Sequence, residues 1–411
     1  MAYHPLDQRS AAQYLKRAGL FPKAVALTVT EIGDGNSNMV FRVQDKHNGH
    51  SVILKHAFPY VRCVGESWPL SLDRIRIEAD ALEIQDRHVP ALVPKVLHRN
   101  NEMALVVMED LGRMEVMRKG MNKLRKYPRF ADHISTFMAN VLFFTSDLFL
   151  PAREKKALSG RFDNPLCGIT EDLIFTEPYF DCARNNVNPA LRPYCERVFW
   201  RKSNLRLEAS KLKEKFLTQG QCLIHGDLHT GSILANATET KVFDTEFAFV
   251  GPAAFDPGLL VGNLFINFLA LDGKEFAQAQ KSSYQRYVLE SVREIYHLFE
   301  LKFRRNWDDH SKEPAFAVAG FQDYYLRQMF ADTLGFAAAE MIRRTHGLAH
   351  NIDVDEIQDL ERRRDVQVSI LETAEEIMLR RGRFRRMDEV VAVVGHRGLS
   401  TGIKRSRKSR N

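Results

Sequence analysis

The stretch that decides the reading is "HGDLHTGSIL" (225–234), followed by "KVFDTEFAF" (241–249). Two acidic clusters stand here, separated by about one strand's length of chain. Asp227 follows an apolar run and a His-Gly turn, so its carboxylate projects from a rigid base. A carboxylate so placed can orient an alcohol or sugar hydroxyl and accept its proton during attack on a γ-phosphate. His229 and Thr230 continue the turn. Asp244 and Glu246 stand at i and i+2 beyond the next strand, a spacing that suits Mg²⁺ bridging phosphate oxygens. No histidine or cysteine cluster competes for a softer metal. A structural alternative exists for each piece: Asp227 capping a turn, His225 as a satisfied core histidine.

Working outward, "EIGDGNSNMVF" (31–41) places two glycines between strands, where backbone can approach phosphate; a plain hairpin turn is the competing reading. Lys55 ends the apolar run "VILK", where an ammonium needs a counter-charge or a lobe edge. In a phosphotransfer site it holds the α- and β-phosphates, oriented by Glu78 or Glu83 of the next helix, Glu78 being preferred.

Around these motifs the chain divides in two. "ALTVTEI", "NMVFRVQD" and "SVILKHAF" read as strands, "LDRIRIEADALEIQDRH" as a helix, and "VPKVLHRN" and "MALVVMED" as two further strands. After "MEDLG" helical periodicity dominates, interrupted by the strands "CLIH" and "KVFD" that flank the acidic turns. The expected architecture is α+β and bilobal. It has a small β-rich lobe with one main helix (1–111), a hinge near 109–112, a larger helical lobe (112–380) and a basic tail (381–411).

The chain has 411 residues, 45% of them hydrophobic and 27% charged, which excludes a disordered or fibrous protein. Its five cysteines (Cys63, Cys167, Cys182, Cys195, Cys222) show no metal-ligand spacing and read as reduced thiols. No signal peptide or membrane-spanning run is evident, so a cytoplasmic protein with no membrane partner is expected. Net charge is +7, much of it in "RRGRFRR" and "KRSRKSR". That end reads as a solvated tail, and no nucleic-acid motif accompanies it.

The ordered set of glycine turn, strand lysine, helix glutamate, HGD and D-x-E resembles the protein-kinase-like fold of small-molecule kinases, the group of the aminoglycoside and choline kinases. The spellings "VILKHAFPYVRCVGESWPL", "VMEDL", "LIHGDLHTGSI", "DTEFAF" and "EMIRRTHGLAH" are similar to those of the methylthioribose kinase family, over roughly residues 5 to 380. The resemblance implies ATP-dependent phosphorylation of the 1-hydroxyl of 5-methylthioribose in methionine salvage, by a homodimer. It implies Asp227 as catalytic base and sugar contact, and Asp244 and Glu246 as carriers of Mg²⁺ and ATP. Asn38 and Lys55 would meet nucleotide phosphates, while the backbone at Glu109, Asp110 and Leu111 would hold adenine. Arg343 and Arg344 match the family's paired arginines. Adjacent helix residues diverge by about 100°, so both face one pocket only near a helix end, and Gly347 supplies the stop.

Trp68 falls in the family's tryptophan-bearing loop beside the substrate, although packing would also explain it. Ser232 stands where most of the wider superfamily has a metal-binding asparagine. Thr245 and Val250 replace the family's usual proline and tyrosine, changes that bear on the acceptor more than on the reaction. Two other readings are a kinase of the same fold for another sugar, amino alcohol or aminoglycoside, and a nucleotide-binding regulator without catalysis. The acidic and basic ligands that a regulator would have lost are all present.

Overall fold

The computed structural model describes residues 3–32, 38–61 and 65–408. The glycine turn at 33–35 and Cys63 lie outside them. The smaller lobe opens with a helix that the sequence reading did not anticipate, α1 (Gln8–Arg17), capped by Asp7, whose side chain accepts from the Ser10 backbone N–H. Strands β1 (Leu27–Glu31), β2 (Asn38–Asp45) and β3 (Ser51–Ala57) follow. A small hairpin, β4 (Tyr60–Val61) and β5 (Gly65–Pro69), leads to α2 (Arg74–His88), then β6 (Val96–Asn100) and β7 (Leu105–Glu109). The main sheet is antiparallel in the order β1-β2-β3-β7-β6.

Strand alternation explains why Lys55 reaches the site. Val52 and Leu54 of β3 pack with Phe41, Leu105 and Val107 against Ala11, Tyr14 and Leu15 of α1. Ile53 therefore turns to the opposite face, where Val106 and Met108 meet Ile75, Ala79 and Leu82 of α2. Lys55 shares that second face, and α2 carries its partner.

The larger lobe begins with β8 (Glu115–Val116) and α3 (Met117–Met121), followed by α4 (Phe130–Phe144), α5 (Ala152–Arg161), α6 (Cys167–Phe175), α7 (Arg192–Arg197) and α8 (Ser203–Thr218). The expected strands "CLIH" and "KVFD" form as β9 (Cys222–Ile224) and β11 (Thr240–Val242), but they do not pair with each other. β9 pairs with β12 (Phe249–Gly251), and β11 pairs with β10 (Ile233–Ala235), which also carries β8. Two short ladders thus hold the acidic turns, one on each side.

The remaining helices are α9 (Phe255–Ala270), α10 (Gln278–His310), α11 (Phe321–His346), α12 (Ile352–Asp355), α13 (Leu360–Arg380) and α14 (Met387–Lys408). Every residue of α9 is buried, so this helix is the lobe's central post. α11 packs along it and delivers its last turn to the site.

The solvated tail is corrected in part. Phe384, Met387, Val390, Val391 and Val394 are buried in the main core. From Met387 onward these apolar residues recur at helical spacing, so one face of α14 docks on the lobe while Asp388 faces outward. The described cysteines Cys167, Cys182, Cys195 and Cys222 are free thiols. No described helix is long and apolar enough to cross a membrane.

Candidate active site

The lysine comes first. Lys55 Nζ lies 2.7 Å from Glu78 Oε2 and 2.5 Å from Asp244 Oδ1. Glu78 is the partner; Glu83 instead faces the surface, 3.5 Å from Arg99. Burial opposes the charge on Lys55, but Asp244, Glu78 and Glu246 outweigh it and hold the ammonium protonated. Burial pushes the Glu78 carboxyl up to about 7, with Lys55 pulling the other way and Asp244 and Glu246 adding to the rise. Carboxylate oxygens of Glu78, Asp244 and Glu246 lie within 4.8 Å of one another. All donors are hard oxygens, so the set fits a divalent cation such as Mg²⁺. Of the three, Glu78 and Asp244 both contact Lys55, and Glu246 contacts Asn38 and Arg74.

Asp244 sits just past β11 at φ +68°, the left-handed region that a non-glycine residue enters only when its surroundings hold it there. Thr245 contributes. Its hydroxyl donates to the Glu78 carbonyl at 3.2 Å, a bond that proline could not make and that ties the acidic turn to α2. Asn164 clamps the far side of the turn, donating to the carbonyls of Glu246 and Ala248. Val250 does not enter the site. It packs with Ile77, Ala81, Phe162 and Leu223 under α2.

Asn38, expected on the phosphates, lies beside the acidic turn: its amide donates to Glu246 Oε2 at 2.7 Å, and its side-chain carbonyl accepts from Arg74 at 3.1 Å. Arg74, fully buried, also stands 3.4 Å from Glu246 and donates to the Phe58 and Ser71 carbonyls. It thereby ties both ends of the Trp68 hairpin to the Glu246 carboxylate. Nothing in the local sequence marked it, since its partners lie at positions 38 and 246. Trp68 itself is half-buried, with the Arg184 guanidinium 5.6 Å from its ring centre. Arg184 pairs in turn with Glu177 and Asp172 of the larger lobe.

At the hinge, Asp110 accepts from Arg42, Ser51 and the Gly112 N–H, fastening the crossover to the sheet. Glu109 ends β7 with its side chain 3.7 Å from Lys241, and Leu111 is buried.

The catalytic turn is shaped from behind. His225 is a core histidine as well as a brace: Nδ1 accepts from the Asp227 N–H and Nε2 meets the Phe243 carbonyl, joining the two acidic turns. Asp256, buried at the start of α9, accepts from the N–H groups of His225 (2.6 Å) and Gly226 (3.0 Å). Gly226 adopts φ +82°, and a Cβ there would stand 2.1 Å from the Phe247 carbonyl oxygen, so only glycine fits. Ser232 faces inward rather than toward a metal. Its hydroxyl contacts the carbonyls of Asp227 and His229 and the His229 N–H, closing the loop.

Asp227 meets both arginines of the pair. Arg343 Nη2 and Arg344 Nη2 lie 3.1 and 3.4 Å from its Oδ1. Both guanidinium groups point the same way because Glu340, three and four residues earlier, accepts from each Nε at 2.6 and 2.8 Å. Glu340 is fully buried and also accepts from Asn263. It was missed in the sequence, although an acid at i−3 and i−4 from an arginine pair is a readable signal. Burial opposes the charge on Asp227, yet His229, Arg344 and Arg343 hold its carboxyl well below the usual carboxylate range. Asp227 therefore stays ionised at any working pH.

A phosphotransferase enzyme family model matches residues 28–295. Methylthioribose kinase from Geobacillus sp. (strain WCH70) is 43% identical over 380 residues, covering 92% of each chain. That from Yersinia enterocolitica is 40% identical over 400 residues, covering 96% of this chain and 99% of its own. The chain belongs to the methylthioribose kinase family. The aligned span includes the last turn of α11, so both arginines and their glutamate pivot fall within the family likeness. Among solved structures, choline kinase from Cryptosporidium parvum Iowa II aligns over 92% of this chain and 96% of its own, with a TM-score of 0.49 at 11% identity. That distance is too great to bear on the site.

Proposed function

We propose that this member of the methylthioribose kinase family transfers the γ-phosphoryl group of ATP to the 1-hydroxyl of S-methyl-5-thioribose, giving the sugar 1-phosphate and ADP. The observation that carries the reading is its likeness to methylthioribose kinases along nearly the whole chain.

In the proposed reaction, Asp227 orients the anomeric hydroxyl toward the γ-phosphorus. The new bond forms between that oxygen and phosphorus while the bridging β–γ bond breaks, and the hydroxyl proton passes to Asp227. Because the Asp227 carboxyl titrates so low, it serves mainly by orientation and accepts the proton late, as a loose phosphoryl-transfer transition state allows. Arg343 and Arg344 bind sugar oxygens and offset charge on the moving phosphoryl group. Lys55, steadied by Glu78, holds the α- and β-phosphates, and the backbone at 109–111 receives adenine. Asp244 and Glu246 hold Mg²⁺, which supplies charge neutralisation at the phosphate oxygens. We further infer a homodimeric, cytoplasmic enzyme, as the family resemblance suggests.

An ATP-consumption assay across 5-methylthioribose, ribose, choline and an aminoglycoside tests the acceptor. Turnover is expected with the thio-sugar alone. Turnover only with choline or an aminoglycoside would move the enzyme to another branch of the fold, and turnover with none would favour a regulator. Asp244→Asn is expected to lower kcat/KM by roughly 100-fold or more, since a metal contact supplies several kcal/mol. It should also raise the Mg²⁺ concentration needed for half-maximal rate; an unchanged Mg²⁺ requirement would remove Asp244 from the metal site.

A further inference from the structure

The carboxylate of Asp227 has two oxygens, and the arginine pair contacts only Oδ1. The other, Oδ2, lies 3.3 Å from His229 Nε2. The opposite ring nitrogen, Nδ1, accepts from the N–H groups of Gly231 at 3.0 Å and Ser232 at 3.1 Å. A nitrogen that accepts from backbone N–H carries no proton, so the ring proton sits on Nε2, the nitrogen 3.3 Å from Asp227 Oδ2. The ring lies so close to the loop that a Cβ on Gly231 would stand 2.8 Å from His229 Cε1.

We propose that His229 is a positioning residue for Asp227, its imidazole fixed in one tautomer by the loop backbone so that Nε2–H holds Oδ2 of the carboxylate. The consequence is a division of labour. When the arginines turn to sugar and phosphoryl oxygens, their hold on Oδ1 loosens, and an unanchored carboxylate would rotate away from the hydroxyl. His229 keeps its direction, because the ring is pinned by two backbone bonds that substrate does not touch. Burial, with Arg118 and Arg344 nearby, pushes the imidazole down to about 4 despite the pull of Asp227, consistent with a neutral donor. The inference rests on the reading of Asp227 as the group that orients the sugar hydroxyl.

Two substitutions separate the ring's two nitrogens. In His229→Asn the amide oxygen can take over the Nδ1 role toward Gly231 and Ser232, but nothing reaches Asp227. In His229→Gln the longer amide presents an N–H near the place of Nε2. With ATP and methylthioribose as substrates, His229→Asn is expected to melt near the wild-type temperature. Its kcat should fall about 10- to 100-fold, the scale of a misdirected reacting group, with KM for ATP unchanged. His229→Gln should recover much of the loss. In an Asp227→Asn background, His229→Asn should cost nothing further.

A folded His229→Asn with wild-type kcat, or an equal loss in the Asp227→Asn background, would overturn the proposal. Should His229→Asn fail to fold, His229→Gln carries the test, and a folded His229→Gln with a hundredfold loss would overturn it. Near-normal turnover by Asp227→Asn alone would instead remove the reading on which this inference rests.

Discussion

Replacing Asp227 by asparagine is expected to cut kcat by roughly 10³-fold, within the 10²–10⁴ range of a lost acid–base group, while ATP affinity stays nearly intact. The substitution is close to isosteric, so Asp256, His225 and Gly226 still build the turn. What disappears is the negative charge that fixes the hydroxyl and receives its proton. In the proposed reading the nucleotide is gathered at Lys55, Asp244 and the hinge, so its binding has little reason to change. Steady-state kinetics with calorimetric titration of a non-hydrolysable ATP analogue checks both halves. A rate close to wild type, or a loss of nucleotide affinity matching the loss of rate, would reject the role.

The second large effect is on stability. Glu340→Ala should destabilise the protein by about 3–5 kcal/mol, the usual cost of removing one partner from a buried ionic network. Two buried guanidinium groups and the Asn263 amide would lose their common acceptor. Burial raises the Glu340 carboxyl, but Arg343 and Arg344 overcome it and depress it from 4.5 to about 2. The sign follows from a folded-state value below the unfolded one. This group stabilises the fold above about pH 4.5, and that contribution, about 3 kcal/mol, is lost as pH falls toward 2. Urea unfolding of wild type and Glu340→Gln across this range checks it, since the two curves should converge at low pH. Identical midpoints at pH 7 would show that the arginines are held by something else.

Much of this site could be read from the chain because the decisive signals are local. An ammonium closing an apolar strand needed a counter-charge, which pointed Lys55 to the next helix, and a strand end followed by His-Gly gave Asp227 its rigid base. Arg343 and Arg344 needed a helix end, which Gly347 supplies as the cap of α11. The residues that escaped notice act through space. Arg74 serves Asn38 and Glu246 from a helix start that looks like any exposed basic turn, and Asp256 braces the His-Gly turn from a helix about thirty positions on. The docked face of α14 was masked by the charge around it, since Met387, Val390, Val391 and Val394 were outvoted by the neighbouring arginines. Asn38 shows how the same residue serves packing as well. The family spelling suggests a phosphate contact, and its amide stands 2.7 Å from Glu246, beside the carboxylates expected to carry the nucleotide's metal.

The central claim is that Asp227 addresses the sugar while Lys55, Asp244 and Glu246 address one nucleotide. A crystal structure with methylthioribose, Mg²⁺ and a non-hydrolysable ATP analogue measures it directly. The account predicts the 1-hydroxyl oxygen at about 2.6–3.2 Å from an Asp227 oxygen and about 3–3.5 Å from the γ-phosphorus, with the metal on Asp244 and Glu246. A sugar bound with its 1-hydroxyl turned away from Asp227, or a triphosphate that bypasses Lys55 and both metal-site carboxylates, would contradict it.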